Sequence, residues 1–373
     1  MTHAMSTFFL AGFECTDAIV ADGRRLDLLE ATGHRRSLES DYELMRAIGI
    51  DTVREGVGWR LSDRGGGFDF QWLNAVLRAA RRTRVAVIHD LFHFGYPAGL
   101  DPFGSEFRER YVEYCVAATK RIRLETDGQI WLTLMNEPSF LAWAGGDVAR
   151  FAPFATSRAY ELKVNLLTAL IAAIKAVRNI DPLARFLHVD PICRVVPPAG
   201  RPDLVAEADW FNDVAVPESF DILSGRILPA LGGGPELVDT IGLSYYAMNQ
   251  WELGSSGWLA EDDPRRVPLG QLIVGAWRRY GAPILIAETA GLGPDRGSWL
   301  VAQVREVLKA REAGVSVEGV CVYPVIGMPR WEGDGELAFG LFDRRDGNRV
   351  PDDGAIVALK GAQRAVSRFR SSR

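Results

Sequence analysis

The run Ile130-Trp131-Leu132-Thr133-Leu134-Met135, followed at once by Asn136-Glu137-Pro138, decides the fold. A continuous apolar run of this length is typical of a strand buried on both faces, as in parallel sheets. A second run, Pro283-Ile284-Leu285-Ile286-Ala287, leads in the same way into Glu288. Each of these two carboxyl groups therefore stands at the end of a predicted buried strand.

Short apolar runs of this kind alternate with longer amphipathic segments along the whole chain. The predicted strands are 8–12, 51–54, 85–89, 130–135, 186–190, 240–245, 284–287 and 319–323. The predicted helices include 41–48, 70–82, 162–177, 268–280, 299–313 and 355–369. Alternating strands and helices indicate the α/β class, and about eight units in 373 residues predict a single (β/α)8 TIM barrel forming one domain over 1–373.

Composition excludes several classes of protein. The chain is 47% hydrophobic and carries a formal net charge of -5, which gives no electrostatic footprint for nucleic acid. No apolar segment is long enough to span a membrane, and the N-terminus lacks the core of a signal peptide. The cysteines lie far apart and predict free thiols in a reducing, cytoplasmic location: Cys15, Cys115, Cys193 and Cys321.

The barrel gives the strand-end acids their meaning, because active sites of such barrels are built from loops at the carboxyl ends of the strands. Glu137 on the fourth strand and Glu288 on the seventh would share that rim. Cleavage of a glycosidic bond needs one protonated carboxyl and one ionised carboxylate, so this pair suggests glycoside chemistry. Taken singly, each glutamate could equally be a surface loop residue.

Several further motifs occur along the chain, and their order is more informative than any one of them. They are Phe9-Leu10-Ala11-Gly12-Phe13-Glu14-Cys15-Thr16, Val53-Arg54-Glu55-Gly56, Leu91-Phe92-His93-Phe94-Gly95-Tyr96-Pro97, Trp131 to Pro138, Gly242-Leu243-Ser244-Tyr245-Tyr246, Ile284 to Thr289, and Trp331 with Phe339-Gly340-Leu341. Together they resemble glycoside hydrolase family 1, the β-glucosidase family in the clan of retaining barrel glycosidases. The resemblance runs nearly from end to end.

The resemblance implies a role for each matching residue. Glu288 would be the nucleophile and Glu137 the acid/base. Arg54 would hold the nucleophilic carboxylate, and Tyr246, with Tyr245 as the fallback, would contact it. The resemblance further implies that His93 binds a sugar hydroxyl and that Trp331 is the closing tryptophan of the site.

Asn136 has a predicted role of its own. Its amide would donate to the 2-hydroxyl of the sugar, a contact that strengthens in the transition state. The alternative for Asn136 is a simple cap at the strand end.

Departures from the family pattern affect the choice of sugar. Ile19 stands where the family has a glutamine that binds outer hydroxyls, and Arg330 stands where it has a glutamate before the tryptophan. Ser244 and Tyr323-Pro324 replace asparagine and Trp-Ser. Arg330 could recognise an anionic group on a sugar through its planar fork, or it could form a salt bridge to Glu332 or another rim acid.

A metal-dependent hydrolase is a weaker interpretation. His89, Asp90, His93, His188 and Asp190 lack His-x-His or His-Glu-x-x-His spacing, and His188 precedes its strand end, as a core histidine would. We therefore expect no metal and no cofactor.

Other early strand-end acids are open to two interpretations. Glu14, Asp17 and Glu55 could line the pocket, or each could pair with a neighbouring arginine.

The residues thus predict an enzyme, a retaining β-glycosidase that hydrolyses O-glycosidic bonds. The alternative is a carbohydrate-binding or transglycosylating relative, acting in polysaccharide or glycoconjugate assembly. Retention of both Glu137 and Glu288 favours the enzyme, because a binding module has little use for a costly pair of like charges. The sugar, the aglycone, exo or endo action and the oligomeric state stay open.

Overall fold

The structure, a computed structural model, describes residues 7–371. Eight parallel strands close into a barrel in which each strand pairs with its neighbours in chain order and the first pairs with the last. The strands are β1 Phe9–Gly12, β2 Thr52–Gly56, β3 Ala86–Asp90, β4 Trp131–Thr133, β5 Arg185–Pro191, β6 Thr240–Ser244, β7 Ile284–Thr289 and β8 Val317–Val322. Each lies at a predicted position, so the predicted (β/α)8 barrel is confirmed.

Helices surround the barrel, one main helix after each strand. They are α1 His34–Ala47, α2 Gln71–Thr83, α3 Ser105–Arg123, α4 Ala159–Ile180, α5 Glu218–Leu223, α6 Leu269–Tyr280, α7 Arg296–Glu312 and α8 Asp353–Ser371. Shorter helices occupy the connecting loops at Leu28–Ala31, Trp59–Ser62, Pro138–Gly146 and Val205–Trp210. Small two-stranded sheets pair Asp17–Ile19 with Arg25–Asp27, Arg194–Val196 with Gln250–Glu252, Met328–Pro329 with Glu336–Leu337, and Phe342–Arg345 with Asn348–Pro351. Within residues 7–371, no helix is long and apolar enough to cross a membrane.

The strands are mostly apolar because both of their faces are buried. In β7, Ile284 and Ile286 pack outward against the helices, whereas Leu285 and Ala287 fill the barrel interior. This alternation is the period of two that a strand imposes on its side chains. Continuous hydrophobic runs are therefore what this barrel requires, and the sequence patterns express that requirement.

Most boundaries lie within three residues of the prediction, and two of the differences have a structural cause. The fourth strand ends at Thr133, two residues before the predicted Met135, because the chain bends there and continues through single hydrogen bonds to both neighbours. Helix α1 begins at His34, well before the predicted position 41, because its first turns bury few apolar side chains.

A buried charge network joins β2 to α1 and to the last hairpin. His34 bonds Asp41 at 2.7 Å and Glu55 at 2.9 Å, and the Tyr42 hydroxyl donates to the same oxygen of Glu55 at 2.8 Å. Arg349 closes the network with two hydrogen bonds to Asp41, each 2.8 Å long. Burial alone would lower the pKa of His34, but the charges of Glu55 and Asp41 and their hydrogen bonds raise it to about 9.

We expect this network to make stability depend on pH. An unfolded histidine has a pKa of about 6.5, so the stabilisation is complete below that pH and is lost as pH rises through about 9. We would measure urea unfolding of the wild type and of His34→Gln at about pH 6, 8 and 10. Between about pH 6 and pH 10, the free energy of unfolding of the wild type should fall by up to about 3 kcal/mol more than that of His34→Gln.

His188→Gln is the matched control, because burial lowers the pKa of His188 to about 4 and its ring is neutral across this range. Parallel stability curves for the wild type and His34→Gln would contradict the charged network.

Candidate active site

Glu288 is held by both of its carboxylate oxygens at the carboxyl end of β7. Its Oε1 accepts a hydrogen bond from Arg54 at 2.9 Å, and its Oε2 accepts one from the Tyr246 hydroxyl at 3.1 Å. The pairing of β7 with β6 shifts register between Ile286 and Glu288, a local irregularity of the kind that re-aims side chains at sites. The carboxylate of Glu288 is therefore fixed in position within the barrel mouth.

The Arg54 guanidinium is the hub of the site. It lies inside the barrel on β2 and is 1% exposed. Its Nη1 donates to Glu288 and to the Ala287 carbonyl at 3.0 Å, while its Nη2 donates to Asp90 at 3.0 Å and to the Asn136 side-chain oxygen at 2.9 Å. The planar fork thus links β2 to β3, β7 and the segment after β4, with a single orientation.

Asn136 and His93 are brought together by this hub. Because the Asn136 oxygen accepts from Arg54, its amide nitrogen faces His93 Nε2 at 3.2 Å. His93 Nδ1 lies 3.1 Å from Asp90 and 3.2 Å from the Cys15 sulfur. Asn136 is therefore more than a strand-end cap, since its side chain connects two predicted site residues.

The protonation of His93 follows from these contacts. Burial lowers its pKa, whereas a Cys15 thiolate and Asp90 raise it, and the net direction is upward. Burial, however, raises the pKa of Cys15 to about 11, so the thiol is neutral near pH 7 and that contribution is absent. Donation from Asn136 also requires a lone pair on Nε2. The hydrogen bonds therefore favour a neutral ring that donates from Nδ1 to Asp90.

Glu137 occupies a strained backbone position directly after β4. Its φ of 44° places it in the left-handed region at the start of the helix Pro138–Gly146, and its N–H donates to the Val189 carbonyl at 2.9 Å. Such strain clusters at functional sites. Burial raises the pKa of Glu137 well above its usual value, and the charge of Glu288 raises it further. The Ser244 hydroxyl lowers this pKa, although it forms no hydrogen bond of good geometry.

The two consecutive tyrosines after β6 point in different directions. Tyr246 contacts Glu288, and its hydroxyl also lies 3.0 Å from the Tyr323 carbonyl. The Tyr245 hydroxyl instead accepts from Gln250 at 2.7 Å, and its ring stacks on Trp299 with centroids 5.7 Å apart. The geometry therefore favours Tyr246 over the fallback.

Trp331 lies in an aromatic cluster at the rim. Its ring packs against Phe94, Phe140 and Phe151, with centroids between 5.6 and 6.5 Å apart. The indole N–H of Trp331 is buried without a hydrogen-bond partner in the described part of the chain.

Arg330 and its neighbour Trp331 lie in different environments. Its side chain is exposed, and only its backbone N–H is engaged, with the Gly335 carbonyl at 3.0 Å. The salt bridge considered between Arg330 and Glu332 is absent, because Glu332 pairs with Arg150 at 2.5 Å. Among residues 7–371, no acid forms an ion pair with the Arg330 guanidinium.

Three residues that were not assigned to the site belong to its walls. Asp90 contacts both Arg54 and His93. It is the last residue of β3, so the strand-end rule that identified Glu137 could have found it as well. Tyr323 stacks on His93 with an interplanar angle of 4° and lies under the Arg54 guanidinium. Glu14 lies 3.9 Å from His93 Nε2 and 3.4 Å from the Tyr323 hydroxyl.

The other early acids do not line the site. Asp17 pairs with Arg25 at 3.1 Å and with Arg60. Glu55 follows Arg54 on β2 and so faces outward, into the network around His34.

The described histidines near the barrel mouth have different environments. His188 donates from Nε2 to the Leu237 carbonyl at 3.0 Å, as expected of a core histidine. Cys15, Asp90 and His93 bring three potential metal ligands within 4.8 Å of one another. Asp90 already bonds Arg54, so a cation there would face the guanidinium. The absence of a metal stays a prediction.

Comparisons with known proteins extend this picture. No protein-family profile matches the chain. A furostanol glycoside 26-O-β-glucosidase from Hellenia speciosa is 23% identical over 419 aligned positions, covering 87% of this chain and 73% of that protein.

Solved structures share the fold at lower identity. A β-glucosidase from Thermotoga maritima in complex with deoxynojirimycin superposes with a TM-score of 0.79 at 16% identity, covering 95% of this chain and 97% of that one. A family 1 β-glucosidase from Thermotoga maritima gives 0.78 at 17% identity, covering 95% and 96%. The predicted resemblance is confirmed: the chain is glycoside hydrolase family 1-like, with the barrel fold of the family 1 β-glucosidase and a detectable sequence similarity to a β-glucosidase.

Proposed function

We propose that this protein is a retaining β-glycosidase with Glu288 as nucleophile and Glu137 as acid/base. The observation that carries the proposal is the contrast between the two carboxyls. Glu288 accepts hydrogen bonds at both oxygens from Arg54 and Tyr246, whereas the pKa of Glu137 is raised by burial and by the charge of Glu288. One ionised and one protonated carboxyl are what the double displacement requires.

The first step forms a covalent glycosyl-enzyme. Glu288 attacks the anomeric carbon as the bond to the leaving oxygen breaks, and Glu137 donates its proton to that oxygen. Carboxyl groups in retaining enzymes lie about 5 to 5.5 Å apart, which leaves no room for a water molecule to attack directly.

The second step releases the sugar. Glu137, now ionised, takes a proton from water as the water oxygen attacks the anomeric carbon and Glu288 departs. Arg54 and Tyr246 stabilise the carboxylate that departs, since both donate hydrogen bonds to it. Asn136, oriented by Arg54, would donate to the 2-hydroxyl while oxocarbenium character develops.

Glycosidase activity is tested with a panel of aryl β-glycosides. We expect the wild type to release the aryl group from at least one glycoside, and Glu288→Gln to lower kcat/KM at least about a thousandfold, because the nucleophile is gone. Glu318→Gln is the matched control, since Glu318 lies near the opposite end of the barrel on β8 and should leave the rate unchanged.

Inert glycosides with every protein would remove the hydrolase proposal. Binding of sugar without release, or transfer to an added sugar acceptor, would then favour the carbohydrate-binding or transglycosylating alternative. Azide separates the roles of the two acids: with an activated aryl leaving group it should rescue Glu137→Ala and give a glycosyl azide of retained configuration. An inverted azide product would reverse the assignments.

The hydroxyl of Tyr246 should contribute to turnover through Glu288. Tyr246→Phe removes one of the two donors to this carboxylate, and we expect kcat/KM to fall about 10- to 100-fold, the worth of a hydrogen bond to a charged group. Tyr245→Phe is the paired control because its hydroxyl bonds Gln250 outside the site. Equal rates for the two variants would show that the contact with Glu288 has no part in catalysis.

An anionic group on the substrate is a separate proposal that depends on Arg330. Its exposed guanidinium could bind a carboxylate, sulfate or phosphate at the rim. Arg330→Gln should then raise KM for a charged glycoside by up to about fivefold, the range of an exposed ion pair, and leave neutral glycosides unchanged. Arg278→Gln, on the exposed side of α6, controls for net charge. An equal change in KM for neutral and charged substrates would remove this proposal.

A further inference from the structure

Glu14 is a third carboxyl group in the cavity that holds Glu288 and Glu137, and no step of the proposed mechanism uses it. It follows β1 and is 5% exposed. Its Oε1 accepts from the Thr16 N–H at 2.9 Å and from the Tyr323 hydroxyl at 3.4 Å. These contacts fix the carboxyl group on the wall of the pocket.

The second oxygen of Glu14 is open. Oε2 accepts no hydrogen bond within residues 7–371, and solvent can reach it. Buried carboxyl oxygens are almost always hydrogen-bonded. An unpaired acceptor that solvent can reach on the wall of the active site is a place for a donor on the substrate.

The position of Glu14 puts that acceptor beside the reacting groups. Its Oε1 lies 3.9 Å from His93 Nε2, and the charge of Glu288 raises the pKa of Glu14, although burial is the larger cause. Burial raises the pKa of the Tyr246 hydroxyl, and the charge of Glu14 is among the charges that raise it further. Glu14 and His93 are therefore neighbours at the barrel mouth, close to Glu288 and Tyr246.

The charges around this cavity indicate what kind of sugar it accepts. Three carboxyl groups surround it, Glu14, Glu137 and Glu288, while a fourth, that of Asp90, is 1% exposed and bonds Arg54. The terminal nitrogens of the Arg54 guanidinium already donate hydrogen bonds to residues of the protein. Within residues 7–371, a carboxylate or phosphate on the sugar ring would find no free cation there, whereas a hydroxyl would find an acceptor.

We propose that Glu14 is a specificity-determining residue that accepts, at Oε2, a hydrogen bond from a ring or exocyclic hydroxyl of a neutral sugar. This inference rests on the proposed glycosidase function and adds the class of sugar in the cavity. It is compatible with an anionic group held outside, at Arg330.

The test combines Glu14→Gln with a series of aryl β-glucosides that lack the 3-, 4- or 6-hydroxyl. The amide oxygen of glutamine can still accept from Thr16 and Tyr323, while an NH2 group replaces Oε2. On the fully hydroxylated glucoside, kcat/KM should fall about 10- to 100-fold, as expected for a lost hydrogen bond to a carboxylate. For the one deoxy glucoside that lacks the contacted hydroxyl, the same substitution should cost no more than about twofold.

An equal penalty on every member of the series would overturn the assignment, because Glu14 would then act through structure alone. Glu14→Asp, which withdraws the carboxyl from the cavity, should show the same pattern if the wild-type contact is direct. Thermal unfolding of both variants beside Glu318→Gln excludes a general loss of fold as the cause.

Failure of the glycosidase proposal can be told apart from failure of this one. If the wild type hydrolyses no glucoside, the glycosidase proposal fails, and calorimetric binding of methyl β-glucoside and its deoxy analogues becomes the readout. Weaker binding to Glu14→Gln, confined to sugars that retain one particular hydroxyl, would still support the contact. Binding that is indifferent to Glu14 would overturn it.

Discussion

The Arg54 guanidinium is the interaction on which the rest of the site depends. It is a fully buried cation whose partners come from strands β3 and β7 and from the residue Asn136 after β4. Removing one partner from a buried ion pair costs about 3 to 5 kcal/mol, because the remaining charge has lost its water as well as its partner. The relative positions of these strand ends are therefore tied together by one side chain.

The same cation explains how two glutamates at one barrel mouth come to differ. Glu288 receives hydrogen bonds from a charged donor and from a hydroxyl, while no hydrogen bond from a charged group reaches the side chain of Glu137 within the described residues. Burial and the neighbouring negative charge then favour the protonated form of Glu137. Two identical side chains have different surroundings because only one of them reaches the guanidinium.

Much of this arrangement could be predicted from the sequence, and what could not has a physical reason. Strands buried on both faces leave long apolar runs, so all eight were predictable, and the end of each run marks the rim where Glu137 and Glu288 lie. The early end of β4 was not predictable, because the bend depends on hydrogen bonds to two neighbouring strands. Glu14 and Asp90 stand at strand ends that the apolar runs mark, whereas the stacking of Tyr323 on His93 joins residues far apart in the chain, which local patterns do not encode. The Arg330–Glu332 pair fails for the same reason, since Arg150 lies closer to Glu332 in space.

Strand β2 carries two opposite charges on adjacent residues. Arg54 faces the cavity, and Glu55 faces the network formed by His34, Tyr42, Asp41 and Arg349. A one-residue insertion or deletion within this strand would turn the anion into the barrel and the cation into the outer network, so that both sites would meet like charges at once. This short segment is consequently intolerant of length variation in a way that a strand apolar on both faces is not.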